Sequence, residues 1–309
     1  MTERRLASLT LAPLALGLLV AGCALHSRPA PLPAAAPAWP EGVAQGPAAP
    51  ASGPWWRQFG DQGLDAMVER MLAANGDLAA AGIRLRRAEM ATRLAARALL
   101  PAASASLDST GVAALDSDAR ARSSGATFGV SWEADLFGRL AAARDAQGWE
   151  AAATAEDLAA TRLALLGTTV IAWWQLGHAN ERIRLGDESI AYAGRALDLV
   201  RVQYGAGFVS RVELRDAEQA LAAQEAAQTQ LIQARIQARN ALAALTGRQD
   251  YDGPEPQALP DGPLPPVDPG LPAALLARRP DLAAAEYRLR SLLATVDATR
   301  ASFYPSFTL

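Results

Sequence analysis

The apolar residues of this chain follow two different periods, and the change from one to the other occurs at a single place. In the segment ATFGVSWEADLFGR, residues 126–139, apolar side chains occupy the even positions up to 136, and polar or small ones occupy the odd positions up to 135. That alternation predicts a strand over 126–136 with one apolar and one polar face. After Gly138 the spacing becomes helical, and no proline interrupts residues 139–204. The pattern therefore predicts a strand that leads directly into an unusually long helix.

A weaker alternation precedes this strand. Residues 102–115 place small or apolar side chains at most odd positions and Ser, Asp and Thr at the even positions from 104 to 110. The polar, turn-rich residues 116–125 predict a loop between the two strands. These patterns together predict a β-hairpin over 102–136. Its strands have the length of strands that cross a membrane in β-barrels. A soluble hairpin with one buried face fits the same pattern, and the pattern leaves both interpretations open.

If the hairpin crosses a membrane, its two faces have different surroundings, because neighbouring residues of a strand point to opposite sides. The residues predicted to contact lipid are Phe128, Val130, Trp132 and Leu136. The residues predicted to line a polar lumen are Thr127, Ser131, Glu133 and Asp135. The two carboxylates also have the spacing of an acid–base or metal-binding pair, but no His or third acid stands nearby in the sequence, so the polar face is the preferred interpretation.

Two heptad rows run along the long helix. One row is Leu176, Ile183, Ile190, Leu197 and Tyr204, and the other is Ala172, Ala179, Gly186, Ala193 and Val200. The second row consists mostly of small residues, which allow a neighbouring helix to approach closely. These rows predict that the long helix packs along its length against at least one other helix.

The tip of a helical hairpin is predicted at residues 203–213. Gly205 and Gly207 should end the first helix, because glycine readily adopts the positive φ found at helix ends. Ser210 and Glu213 have the spacing of a capping box, which starts a second helix that continues to Gly247. Residues 139–247 therefore predict a long antiparallel helical hairpin.

The amino terminus has the features of a secretory signal. Basic Arg4 and Arg5 precede an apolar stretch and the small-residue sequence LVAGC, so residues 1–22 are predicted to be removed. Cys23 is the only cysteine, which excludes an intramolecular disulfide. Residues 23–54 are rich in Pro and Ala and predict an extended tether. No later apolar run reaches the 18 residues of a membrane-spanning helix, so any membrane crossing would use strands.

An internal repeat divides the rest of the chain. DLAAAGIRLRR at 77 matches DLAAAEYRLRS at 281, and 281 − 77 = 204, the same offset that separates Pro101 from Pro305. Residues 55–252 are therefore interpreted as one structural repeat, made of a helix, the hairpin 102–136 and the helical hairpin 139–247. The Pro-rich residues 253–272 form a connector, and 273–309 begin a second repeat. We expect the natural chain to continue through the rest of that repeat.

These motifs together resemble the TolC-like outer-membrane efflux lipoproteins, the outer channels of tripartite resistance-nodulation-division pumps. The resemblance is carried by SWEADLFGR at 131–139, the Asp-Leu start of each repeat, the glycine tip with Ser210 and the LVAGC lipobox. It implies lipid attachment at Cys23, and Ala24 after it favours sorting to the outer membrane. The implied fold is mainly α with a small β part. Long helical hairpins form a periplasmic α-barrel, and β-hairpins contribute to the twelve-stranded β-barrel of a homotrimer.

The resemblance also implies a function. The protein would be a passive conduit for small molecules from the periplasm to the exterior, opened when a periplasmic adaptor (a membrane fusion protein) docks at the tip. The tip residues expected to contact the adaptor are Tyr204, Gly205, Gly207 and Ser210. The other implied partners are an inner-membrane resistance-nodulation-division pump, outer-membrane lipid and two further copies of the chain.

Composition argues against other classes. The net charge of −3 and the lack of a basic tract argue against a nucleic-acid partner. With two His, no nucleophile motif and no Gly-rich phosphate loop after a strand, no enzyme activity, cofactor or metal is expected. Three alternatives share part of the pattern: a non-channel periplasmic scaffold lipoprotein, a lipid-anchored periplasmic hydrolase, and a type I secretion outer channel of the same fold.

Overall fold

The computed structural model describes residues 27, 53–113, 120–260, 262, 265 and 278–309. The predicted signal, Cys23 and most of the tether lie outside these residues. After a 3₁₀ helix at Trp55–Phe59, the helices and strands follow in the order α1 (Gln62–Ala74), α2 (Gly76–Arg97), β1 (Ala102–Ala113), β2 (Arg120–Ser131), β3 (Glu133–Ala134), α3 (Arg139–Gly205), α4 (Arg211–Leu245), α5 (Pro280–Ala301) and β4 (Phe307–Thr308).

The helical part of the sequence prediction is confirmed. The long helix α3 begins one residue after Gly138 and contains 67 residues, and α4 contains 35. The repeat is visible as well, because α2 ends at Arg97 and α5 at Ala301, and 301 − 97 = 204. The fold is mainly α with a small β part. Among the described residues, none of the helices combines the length and hydropathy that a membrane-spanning helix requires.

Helix α1 was missed by the sequence prediction, although its signal is present. The Asp61 carboxylate caps it by accepting hydrogen bonds from the backbone N–H groups of Gly63, at 2.7 Å, and Leu64, at 3.0 Å. The apolar residues that follow have helical spacing, and all of them are buried: Leu64, Met67, Val68 and Met71. An N-cap residue followed by this spacing is sufficient to predict a helix.

One compact unit contains the described residues between 53 and 82 and between 158 and 278, and its core is centred on Trp173 of α3. The Trp173 indole N–H donates to the Asp61 carboxylate at 2.9 Å, so the residue that caps α1 also satisfies the buried indole. The Trp173 ring packs so closely on Gly63 that a Cβ there would lie 2.8 Å from it. Further core residues include Leu166, Val170, Leu176, Leu242 and Ala243.

The helical hairpin of this unit packs along the two predicted heptad rows. Every residue of both rows is buried or half-buried except Tyr204, which is 40% exposed. The small residue Gly186 admits Gln228 of α4 into the seam. The Gln228 amide donates to the Ile183 carbonyl at 3.1 Å and to the Asp187 carboxylate at 2.7 Å. The heptad prediction is therefore confirmed.

The other compact unit contains, of the described residues, Ser27, 83–113, 120–157 and 279–309. In it, the corresponding helices of the two repeats both contact the beginning of α3. The Thr92 hydroxyl of α2 donates to the Gln147 carbonyl, and the Ser291 hydroxyl of α5 donates to the Ala146 carbonyl, each at 2.9 Å. In addition, Tyr287 of α5 stacks on Trp149 with 5.8 Å between ring centroids.

Replacing Gly186 by Ala should destabilise the helical hairpin. A Cβ there would lie 2.0 Å from Gln228 Oε1, and moving that side chain would break its two hydrogen bonds. Overpacking of this kind costs about 1–3 kcal/mol. Gly194→Ala in the same helix is the matched control, because a Cβ at Gly194 meets nothing within 4 Å.

Denaturant unfolding of both variants in detergent measures the difference. Gly194→Ala should be neutral or more stable by up to about 1 kcal/mol, because Ala favours helix over Gly. Equal stabilities for the two variants would contradict the packing described for Gly186.

Candidate functional site: strand hairpin, junction and helical tip

The hairpin of β1 and β2 is longer at its turn end than predicted. The antiparallel ladder runs from the pair Ala102 and Ser131 to the pair Ala113 and Arg120. Residues 120–125, predicted as loop, are therefore strand. These mostly polar residues remain extended because they continue the ladder opposite residues 108–113, and the hydroxyls of Ser109 and Ser124 lie 3.1 Å apart. The rest of the predicted loop, residues 116–119, lies outside the described part of the chain.

Over residues 103–107 and 126–130 the register brings the apolar positions of the two strands onto one face. Toward the turn, Arg120 and Arg122 lie on this same face, and Val112 lies on the other. Phe128 lies opposite Ala105, and Val130 lies opposite Ala103, so these side chains point to the same side. On the other face Thr127 lies opposite Ser106. In the chain by itself the apolar face is uncovered: Leu107 is 88% exposed and Phe128 is 75% exposed.

The strand ends earlier than predicted at its other end. After Ser131 the chain changes its pairing partner: the Trp132 N–H donates to the Leu309 carbonyl at 3.1 Å, and the Leu309 N–H donates to the Trp132 carbonyl at 2.9 Å. Strand β3 then pairs with β4. The prediction of one strand over 126–136 is therefore wrong beyond Ser131, and Leu136 lies in a turn before α3.

The two carboxylates of this segment build the junction between strand and helix. The Arg139 guanidinium donates to both carboxylate oxygens of Glu133 at 2.7 Å. The Asp135 carboxylate accepts from the backbone N–H groups of Leu140, at 3.1 Å, and Ala141, at 2.8 Å, at the start of α3. The prediction that Asp135 belongs to the strand is wrong, because its side chain instead binds the first free N–H groups of a helix, where negative charge is favourable.

The polar side chains of the junction are engaged with one another or with the backbone. Glu133 and Asp135 each have a separate partner and do not act as a pair. In the part of the chain that the structure describes, no group of three His, Cys, Asp or Glu side chains is placed to hold a metal ion. What this arrangement does is mechanical, because it fixes the direction in which α3 leaves the hairpin.

The tip contains the capping box that the sequence predicts. Glu213 N–H donates to the Ser210 hydroxyl at 3.4 Å, and Ser210 N–H donates to the Glu213 carboxylate at 2.6 Å. Hydrogen bonding of the Glu213 carboxylate by Ser210, first by its backbone N–H and then by its side chain, lowers the pKa of the Glu213 carboxyl. Gly207 has φ of 76°, as a turn glycine should, whereas Gly205 does not have positive φ and is the last residue of α3.

One exposed tip residue was missed by the sequence prediction. Phe208 is 83% exposed beside Gly207, and its backbone N–H donates to the Gln203 carbonyl at 2.9 Å. In the chain by itself the Phe208 ring is left in water, beside the small or apolar residues Ala206, Gly207 and Val209. In the sequence, the signal that could have identified Phe208 was its position between the predicted end of α3 and the predicted start of α4. The tip therefore presents Tyr204 and Phe208 as exposed aromatic residues.

Comparison with known families identifies the chain. Residues 67–248 match the family described as outer membrane efflux protein. The chain is 31% identical to the pyoverdine export outer membrane protein OpmQ of Pseudomonas putida over 97% of its length. It is 30% identical, over 96% of its length, to the toluene efflux pump outer membrane protein TtgF of P. putida. The chain belongs to the outer membrane efflux protein family.

Solved structures agree with this assignment. The outer-membrane channel OprN superposes with a TM-score of 0.76 at 28% identity, covering 93% of this chain and 66% of that one. The Campylobacter jejuni CmeC outer membrane channel has the same fold, with a TM-score of 0.77 at 20% identity over 93% of this chain and 64% of CmeC. The chain spans 66% of the length of P. putida OpmQ and 65% of TtgF.

Removing the cap at the junction should destabilise the start of α3. Asp135→Ala leaves the N–H groups of Leu140 and Ala141 without an acceptor, which costs about 1–2 kcal/mol. Asp135→Asn is the conservative control, since its amide oxygen has the reach of the carboxylate and can still accept one of the two hydrogen bonds. Thermal unfolding and hydrogen exchange of the two amides measure the effect, and Ala and Asn variants that both behave like the wild type would rule out the cap.

Proposed function

We propose that this chain forms part of an outer-membrane channel of a tripartite efflux system. It belongs to a homotrimer in which each protomer supplies β-strands to a twelve-stranded barrel and long helices to a periplasmic α-barrel. Small molecules pass through the tube from the periplasm to the exterior, as the names of the pyoverdine and toluene relatives suggest for those proteins. The tube is a passive conduit and carries out no chemical reaction.

The uncovered apolar face of the hairpin is the observation that carries this proposal. Strands β1 and β2 contain 12 residues each, enough to cross a bilayer at the usual tilt. Leu107, Phe128 and Val130 share one face and are directed toward lipid. Arg120 and Arg122 continue that face only at the turn end of the hairpin. Thr127 and Ser131 share the opposite face, toward a water-filled lumen. A soluble scaffold would cover the apolar face with other parts of the chain. In this chain, however, Leu107 and Phe128 are among the most exposed large apolar residues.

Aromatic residues at the junction support the placement of the membrane boundary. The Trp132 indole N–H donates to the Leu99 carbonyl at 3.1 Å. Phe137 stacks on Tyr304, with ring centroids 4.8 Å apart. Aromatic residues with a polar group concentrate where a barrel leaves the hydrocarbon region. The junction is therefore assigned to the periplasmic surface of the outer membrane, and Trp132 and Leu136 lie at or near that boundary.

The proposed partners are assigned from two parts of the chain, the lipid-attachment residue and the helical tip. Lipid attached to Cys23 anchors the chain to the outer membrane, and one attachment site of this kind does not itself span the bilayer. The tip of the helical hairpin faces a periplasmic adaptor, which contacts Tyr204, Gly205, Gly207 and Ser210. Exposed Phe208 adds an apolar contact at the centre of that surface. An inner-membrane pump supplies the energy that the tube lacks.

Ion conductance tests this function. The protein expressed from its natural reading frame should form ohmic channels in planar bilayers and should restore drug resistance to a strain lacking its outer channel. Phe128→Arg should abolish assembly, because an Arg facing lipid near the bilayer midplane costs about 2–4 kcal/mol. Thr127→Arg is the matched neighbour and should still assemble, with altered ion selectivity.

The scaffold and hydrolase alternatives predict a different result. Neither needs a pore, so the wild-type protein would not conduct, and the two Arg variants would be equally stable. Absence of conductance in correctly assembled, lipid-modified protein would overturn the proposed function.

A further inference from the structure

Ser27 lies four residues after Cys23 and is bound by helix α5. Its backbone N–H donates to one oxygen of the Asp297 carboxylate at 2.8 Å, and its hydroxyl donates to the other oxygen at 2.6 Å. Arg300 donates to the same hydroxyl at 3.2 Å. Ser27 is thus held by three hydrogen bonds, two of them to a charged acceptor, although residues 27 and 297 are far apart in the sequence.

The Asp297 side chain is positioned for this contact. It is only 14% exposed, and Arg300 lies 3.9 Å away, one turn along the same helix. A carboxylate shielded from water in this way needs hydrogen-bond donors, and Ser27 supplies two of them. The Arg300 guanidinium both balances the carboxylate charge and donates to the bound residue.

The internal repeat shows that this pair of side chains is particular to the second copy. Position 297 corresponds to 297 − 204 = 93, which is Arg93, and position 300 corresponds to 300 − 204 = 96, which is Ala96. The corresponding helix α2 therefore has a cation where α5 has the carboxylate. One chain has a single amino terminus but two such helices, and only α5 carries residues that can hold Ser27.

We propose that Asp297 and Arg300 form a docking site for the chain's own amino-terminal segment, which fixes the position of the lipid anchor. Four extended residues reach at most about 14 Å, so Cys23 must lie within that distance of Ser27 when Ser27 is docked. Helix α5 ends at Ala301, shortly before Tyr304, which stacks on Phe137 at the junction. The lipid anchor is thereby held near the carboxyl-terminal end of α5, the end that leads into β4.

This inference rests on the proposed function for its membrane setting, because that function places the junction at the membrane surface. Docking then places the lipid chains at the same membrane surface at which the strands enter the bilayer. An undocked Pro-rich tether would let the anchor lie anywhere within the reach of some 30 residues. The docking site thus turns a loose tether into a short one and orients the helical part relative to the lipid.

Hydrogen exchange of the Ser27 amide tests the docking site in the lipid-modified protein in detergent. Asp297→Asn keeps the shape of the side chain but removes its charge and one acceptor. We expect the Ser27 amide to exchange about tenfold faster or more, the factor for losing a hydrogen bond to a charged group. Arg93→Gln in α2 is the matched control at the repeat-related position and should leave this exchange unchanged.

Two further variants separate docking from general damage. Ser27→Ala keeps the backbone hydrogen bond and should give a smaller increase at residue 27. In every variant, amides of α5 away from Asp297 should keep their wild-type exchange, which shows that the helix is intact. Unchanged exchange at Ser27 in Asp297→Asn, with the helix intact, would overturn the proposal. Conductance is measured separately, so a failed docking site and a failed channel give different results.

Discussion

The hydrogen bonds of the β-hairpin constrain the rest of the molecule most strongly. Within the part of the chain that the structure describes, β1 and β2 pair only with each other, so each has an outer edge of unpaired N–H and C=O groups. In a bilayer no water can satisfy those groups, and each one left free costs several kcal/mol. A lipid-facing hairpin therefore requires further strands on both sides. Closure into a barrel is the only arrangement that supplies them all.

The junction joins the β-hairpin to the helical part of the same chain. Strand β2 must stop, and a helix of 67 residues must start, within a few residues. The Asp135 carboxylate satisfies the first helical N–H groups, and Gly138 provides the positive φ of the turn, at 75°. The ion pair of Glu133 and Arg139 ties the last strand residues to the first helical one. Together these features set the direction in which α3 leaves the hairpin.

Much of this fold could be predicted from local patterns in the sequence. The heptad rows, the capping box at Ser210 and the repeat offset of 204 depend only on neighbours along a helix or on direct comparison of two segments. The hairpin boundaries could not be predicted in this way. Residues 120–125 look like a loop because they are two arginines, an alanine, two serines and a glycine without apolar alternation. They are strand only because β1 lies opposite them.

The candidate site residues also fall into those that local sequence patterns predict and those that they do not. The faces of Thr127 and Phe128 follow from strand alternation, so the sequence predicts them. The roles of Glu133 and Asp135 depend on where α3 starts in space, and a strand pattern assigned them to the polar face instead. The contact between Ser27 and Asp297 joins residues 270 positions apart and has no local signal at all.

Residue-by-residue labelling of β2 tests the account most directly, because it asks whether lipid and water alternate along one strand. Single Cys residues introduced at 126–131, with Cys23 lipid-modified and therefore unreactive, are exposed to a lipid-soluble and a water-soluble thiol reagent in intact outer membranes. Positions 126, 128 and 130 should react with the lipid-soluble reagent, and 127, 129 and 131 with the water-soluble one. Equal labelling of neighbouring positions by the water-soluble reagent would show that the hairpin lies in water and would contradict the channel.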